Sequence, residues 1–133
     1  MAAPSFGRLV AERQLRNEAR RLADAIFHAR SEALKRNVPV VICASVPADP
    51  CGATRLWHEG WLIFADGDAD GAPDTAEPAM GHDGPAASGV SITGNRPLAH
   101  YLRFDWAGRA RTVSGALQMG TLEVCRPGLV GYH

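Results

Sequence analysis

No glycine or proline interrupts the chain between Arg8 and Arg36, and along this run Leu15, Ala19, Leu22, Ile26, Ala29 and Ala33 recur at spacings of three and four. At 3.6 residues per turn those positions form one apolar stripe, while Arg13, Asn17, Arg20, Asp24 and Lys35 fall opposite it. The stop signal is Asn37-Val38-Pro39: asparagine tolerates a left-handed cap, and the proline ring pushes Val38 out of helical space. The pattern predicts one helix over residues 5–37, roughly 50 Å long at about 1.5 Å per residue. A compact globule of 133 residues is only about 36 Å across. Such a helix cannot be fully covered by its own domain. Its N-terminal part must project and find cover elsewhere, so helix length alone argues for assembly.

Beyond Pro39 the pattern changes to short runs of β type: Val38–Ala44, Leu56–Ala65, Val90–Thr93, Leu98–Asp105, Arg109–Val113 and Leu117–Cys125, with Gly or Pro between most of them. Residues 66–89 are polar and rich in Gly and Pro, and read as one long acidic loop. One helix followed only by strands predicts an α+β fold, a long N-terminal helix packed on antiparallel sheet. Residues 1–133 are expected to form a single domain, with 38–133 as its β-region.

The net charge is zero but unevenly spread. Met1–Asn37 holds eight Lys/Arg against four acids, Asp49–Asp83 eight acids against Arg55 alone, and Arg96–His133 five Arg against two acids. The net balance gives no support to nonspecific nucleic-acid binding, although local basic surfaces remain. No segment is long and apolar enough to span a membrane. Of three cysteines, Cys43 and Cys51 bracket a turn-rich segment with two prolines, which suits a small disulfide loop in an oxidising compartment. Cys125 is then free, or is itself the partner if the strands place it beside Cys43. Three buried free thiols are the plainer alternative.

Asp66–Glu77 reads DGDADGAPDTAE and fits the calcium-loop pattern at every specified position, with Asp66, Asp68, Asp70 and Glu77 as side-chain ligands. An EF-hand also needs a helix on each side. Here the entering segment is Gly60-Trp-Leu-Ile-Phe-Ala65, a strand, and the exit is Pro78-Ala-Met-Gly-His-Asp-Gly-Pro85, which is no helix. The chain is not an EF-hand, and the loop is expected to stand unoccupied. Nor is there a nucleophile elbow, a phosphate loop or a paired-histidine metal motif. His58-Glu59 would face opposite ways on a strand, so a sheet-surface histidine is the expectation. Neither a cofactor nor an enzymatic activity is expected.

Several stretches together resemble a known family. Ala29-Arg-Ser-Glu-Ala-Leu-Lys-Arg-Asn37 closing a long helix, then Val40-Val-Ile-Cys43, is similar to the FimT/FimU minor pilins and the H-type pseudopilins of type II secretion. Trp57-His-Glu-Gly-Trp61-Leu-Ile-Phe64-Ala-Asp66 matches their Trp-x-x-Gly-Trp-x-x-Phe-x-Asp signature, and Phe104-Asp-Trp-Ala-Gly108 and Leu122-Glu-Val-Cys125 fit the later strands. The resemblance spans nearly the whole chain. It implies a non-catalytic, periplasmic subunit of a Gram-negative pilus or pseudopilus, whose partners are other pilins or pseudopilins. The full-length form would be anchored in the inner membrane by an apolar N-terminal segment. Ala2–Phe6 looks like the stretch just beyond that segment, so a soluble form lacking it is expected.

Two surfaces are singled out. Phe27 and Leu34 lie seven apart on one flank of the helix, away from the main stripe, and are expected to mark an assembly contact unless a wide core face covers them. Some FimT-type pilins bind DNA through a Gly-Arg-x-Arg motif, and Gly108-Arg109-Ala110-Arg111 has that form, with Arg96, Arg103 and Arg126 in the same basic third. The family motif usually lies on the final strand, whereas this one follows Phe104 at the turn of an earlier strand. A DNA-binding minor pilin is therefore the alternative to a purely structural one.

Overall fold

The helical stripe folds as its spacing requires. In the computed structural model, which describes residues 2–45, 51, 56–66, 79–86, 90–95, 98, 101–111, 118 and 120–125, helix α1 spans Ala2–Arg36. It begins three residues earlier than predicted. It ends as predicted, on Asn37 at φ 56°, whose N–H donates to the Ala33 carbonyl at 3.0 Å. Leu15, Leu22, Ala25, Ala29 and Ala33 are buried along one face. The alanines at the C-terminal half let the helix approach the sheet closely. Gly7–Val10 are exposed, and among the described helix side chains the first that is fully buried is Leu15.

Four strands form the main antiparallel sheet in the order β3-β2-β1-β5: β1 Val40–Ala44, β2 Trp61–Ala65, β3 Ala79–Asp83 and β5 Tyr101–Phe104. A second, two-stranded sheet pairs β4 Ser91–Gly94 with β6 Leu122–Cys125. β1 is central, with all five residues buried. Its alternation splits the core: Val40, Ile42 and Ala44 face the helix with Trp61, Ile63, Leu102 and Phe104, whereas Val41 and Cys43 pack with Phe64 on the other face.

Three sequence expectations need correction. Residues 66–89 are not one loop, because β3 lies within them and pairs with β2 across a bulge between Ile63 and Phe64. Residues 56–65 are not one strand, since Trp57–Glu59 form a 3-10 turn before β2 begins. The strand expected over Arg109–Val113 is, among the described residues, a single bridge between Ala110 and Phe104.

The outer edge of β5 is closed. Arg111 N–H donates to the Arg103 carbonyl at 3.0 Å and Asp105 N–H to the Arg109 carbonyl at 2.8 Å. The Gln118 side chain completes the set, its amide donating to the Tyr101 carbonyl at 2.8 Å and accepting from Arg103 N–H at 2.9 Å.

Candidate functional site

The tryptophan motif is structural. Trp57 is fully buried and its indole N–H donates to the Leu98 carbonyl at 3.0 Å. The 3-10 turn closes on Gly60, at φ 128° and ψ 171°, a region essentially restricted to glycine. This explains the glycine between the tryptophans. Trp61 enters β2 with Arg21 of the helix stacked 4.7 Å above its ring, a cation–π contact. His58 is not a sheet-surface residue as expected. The turn aims its Nδ1 to accept from Ile92 N–H at 3.0 Å, tying the motif to β4.

The aspartate that ends the motif points inward. Asp66 is 0% exposed and pairs with Arg103, Nε to Oδ2 at 3.0 Å. By register Arg103 lies beside Val41, and Val41 beside Phe64, so the guanidinium crosses over β1 to reach the end of β2. Of the loop's candidate calcium ligands, Asp66 therefore has its carboxylate committed to an interior guanidinium. Arg103, one of the arginines considered for phosphate contact, is buried in that pair. Asp68, Asp70 and Glu77 lie outside the described residues, as do Arg96 and Arg126. No metal-binding cluster of His, Cys, Asp or Glu occurs among the described residues.

Cys43 and Cys51 are joined by a disulfide, the first of the pairings considered, and Cys125 is free. The Cys125 thiol is pushed up by its hydrogen bond to Glu123 and by burial, which leaves it a weak nucleophile. An apolar cavity of about 370 Å³ lies between Leu22 and Ile26 of α1 and Leu98, Leu102, Leu122 and Val124. Its described lining offers no ionisable side chain, and Thr121 is its one polar side chain.

What remains is a surface. After β5 the chain makes a tight turn, with Gly108 N–H donating to the Asp105 carbonyl at 2.8 Å and Gly108 at φ 78°. Oδ1 of Asp105 accepts from the Ala107 and Arg109 N–H groups at 3.0 and 2.9 Å. Its Oδ2 holds Arg109 Nε at 3.3 Å and Arg111 Nε at 3.5 Å. Burial pushes the Asp105 carboxyl up, but the two backbone donors and the Arg109 charge outweigh it and leave the group below its ordinary value. Arg109 and Arg111 therefore converge on one carboxylate rather than straddling open space. The turn packs on α1: Arg30 Nε donates to the Gly108 carbonyl at 3.0 Å, and a β-carbon on Gly108 would sit 3.1 Å from Leu34 Cδ2. Beside this seam Phe27 is 68% exposed, Leu34 44% and Trp106 58%.

Residues 18–132 match the family described as type II transport protein GspH. The chain belongs to the GspH family. The fold is that of a pilin: the crystal structure of the type IV minor pilin FimU from Pseudomonas aeruginosa PAO1 superposes with a TM-score of 0.65 at 18% identity, covering 92% of this chain and 81% of that one. Among curated proteins none matches. This GspH-family chain thus has a pilin-like fold, with the long helix on antiparallel sheet that the sequence pattern predicted.

Sequence reading picked out Phe27 and Leu34 in this GspH-family chain but missed Trp106 and Arg30 beside them. Helical periodicity marks residues off the stripe, whereas the joining of α1 to the 105–109 turn spans 78 residues of sequence and leaves no local signal.

Proposed function

We propose that this GspH-family chain is a non-catalytic subunit of a type IV pilus or of a type II secretion pseudopilus, acting in assembly, priming or at the tip. It works as one pilin-like domain, in the periplasm, with its full-length form anchored in the inner membrane, and other pilins or pseudopilins are its partners. The observation that carries the reading is the helix. α1 extends from Ala2, and among the side chains described Gly7–Val10 are exposed and Leu15 is the first that is fully buried. A helix of this length exposed over Gly7–Val10 is explained when neighbouring subunits cover it. The experiment is fractionation of sheared filaments and membranes from cells making the full-length chain. Recovery with other pilin-like subunits supports the proposal, and absence from every such fraction refutes it. A gene neighbourhood of pilus or of secretion components separates the two systems.

DNA binding is the second reading, resting on the exposed Arg109, whose side chain is 56% accessible. Asp105 opposes it by holding Arg109 and Arg111 together and cancelling part of their charge. A duplex titration at low salt compares wild type with Arg109→Ala/Arg111→Ala. Any contact made through phosphates weakens steeply with salt. Tight binding lost in the double variant would promote the DNA reading, and no binding by either leaves the structural role alone.

A further inference from the structure

We propose that the surface formed by Phe27, Arg30 and Leu34 of α1 with Trp106 and Arg109 of the following turn is a subunit contact, and that its occupant is another pilin-like subunit presenting carboxylates around an apolar centre. The proposal rests on the assembly reading above and names the surface and the partner chemistry. Among the described residues six large apolar side chains are exposed, and three of them, Phe27, Leu34 and Trp106, gather here. Scattered single apolar residues need no explanation, but a cluster joining two elements does. The seam is fixed rather than accidental. Arg30 donates across it to the Gly108 carbonyl, and Leu34 occupies the space that glycine leaves open.

The charge around the cluster identifies the partner. Arg109 and Arg111 share a single carboxylate, Asp105, and Arg30 is bonded to the Gly108 carbonyl of the same turn, so cations outnumber acids among these residues. On the neighbouring turn of α1, Lys35 and Arg36 outnumber Glu32, which they both hold. Aromatic and arginine side chains around an apolar centre are the residues that dominate protein–protein contacts, and they favour an acidic counterpart. Duplex nucleic acid, with its bases already stacked, would use the arginines but leave three large apolar groups without a partner. A lipid surface would need those groups to reach past the cations, whereas Leu34 already packs on Gly108.

The test places a benzophenone amino acid at position 27, at position 106 and, outside the patch, at Thr93, in the full-length chain in cells. Irradiation should join positions 27 and 106 to the same pilin-like subunit, through a peptide richer in acids than in bases. Arg30→Glu/Arg109→Glu should lower the yield about tenfold, the effect of roughly 1.4 kcal/mol. Melting temperatures of Phe27→Ala and Trp106→Ala should stay within a few degrees of wild type, because neither side chain is core. Absence of adducts, equal yield after charge reversal, a basic contact peptide, or adducts to lipid or nucleic acid would overturn the proposal. A chain missing from filament fractions would defeat the assembly reading itself. Normal recovery of the charge-reversed variant, with its patch cross-links unchanged, would defeat only the assignment of this surface.

Discussion

Replacing Asp66 with alanine should cost the fold about 3–5 kcal/mol, because it removes the counter-charge from a guanidinium with little access to water. The Nε–Oδ2 separation is 3.0 Å, and the Arg103 and Asp66 side chains retain only 9% and 0% exposure. At that distance the attraction is on the order of 5 kcal/mol for an effective dielectric constant near 20. Desolvation of both ions offsets much of it, so the intact pair contributes little, and the loss arises from stranding one partner. It follows that Asp66→Ala/Arg103→Met should be more stable than Asp66→Ala alone. Urea unfolding of wild type, both single variants and the double closes the cycle. With an m-value near 2 kcal/mol per molar, the midpoint of Asp66→Ala should fall by roughly 2 M. A loss below about 1 kcal/mol, as an exposed pair gives, would refute the reasoning. So would a double variant as unstable as the sum of the singles. The same commitment of Asp66 predicts that millimolar calcium leaves the wild-type melting temperature unchanged, and a rise abolished by Asp68→Ala would contradict it.

Cys51→Ser should lower stability by about 2–3 kcal/mol, the loop-closure entropy of a short bridge, read as a shift in the urea midpoint; no shift would show that the closed loop constrains nothing. Gly60→Ala should cost about 1–3 kcal/mol, because φ 128° excludes a β-carbon, and a neutral result by thermal unfolding would mean the turn rearranges freely. The carboxyl of Asp105 lies below its ordinary 3.8, so its stabilisation is fully present above that pH and is lost only as pH falls through the lowered value. Hydrogen exchange of the Ala107 and Arg109 amides, which donate to it, should therefore remain protected at pH 5 and lose protection only below about pH 4. Loss of protection at pH 5 would break the assignment.

The parts of this fold that were legible in the sequence are those whose signals are local. The helix announced itself because Leu15 to Ala33 repeat at helical spacing and Asn37-Val38-Pro39 ends the run. The Cys43–Cys51 bridge followed from closeness along the chain. β3 was hidden because Ala79-Met-Gly-His-Asp83 has no apolar alternation, and it is a strand only through its ladder with β2. Asp66 has a partner that was illegible for a different reason. Its surroundings in sequence are acidic, and its actual partner is 37 residues away, reached by crossing a strand whose register no local pattern encodes. The surface around Trp106 was half-legible: the helix half showed as residues off the stripe, and the turn half depended on a contact made only in three dimensions.

The side chain of Gln118 has a consequence for how this molecule can meet others. By taking the Tyr101 carbonyl and the Arg103 amide, it imitates one residue of an added strand, and backbone from 109–111 supplies the rest. An exposed strand edge is a template on which foreign chains can polymerise, and secreted sheets that lack a cover there tend to recruit one another indiscriminately. Here that template is occupied by the chain itself. Recognition on this flank is consequently a matter of side-chain identity, which mutation can tune, and not of main-chain pairing, which any extended peptide could satisfy. A subunit that must join some neighbours and ignore others is better served by the first kind of surface than by the second.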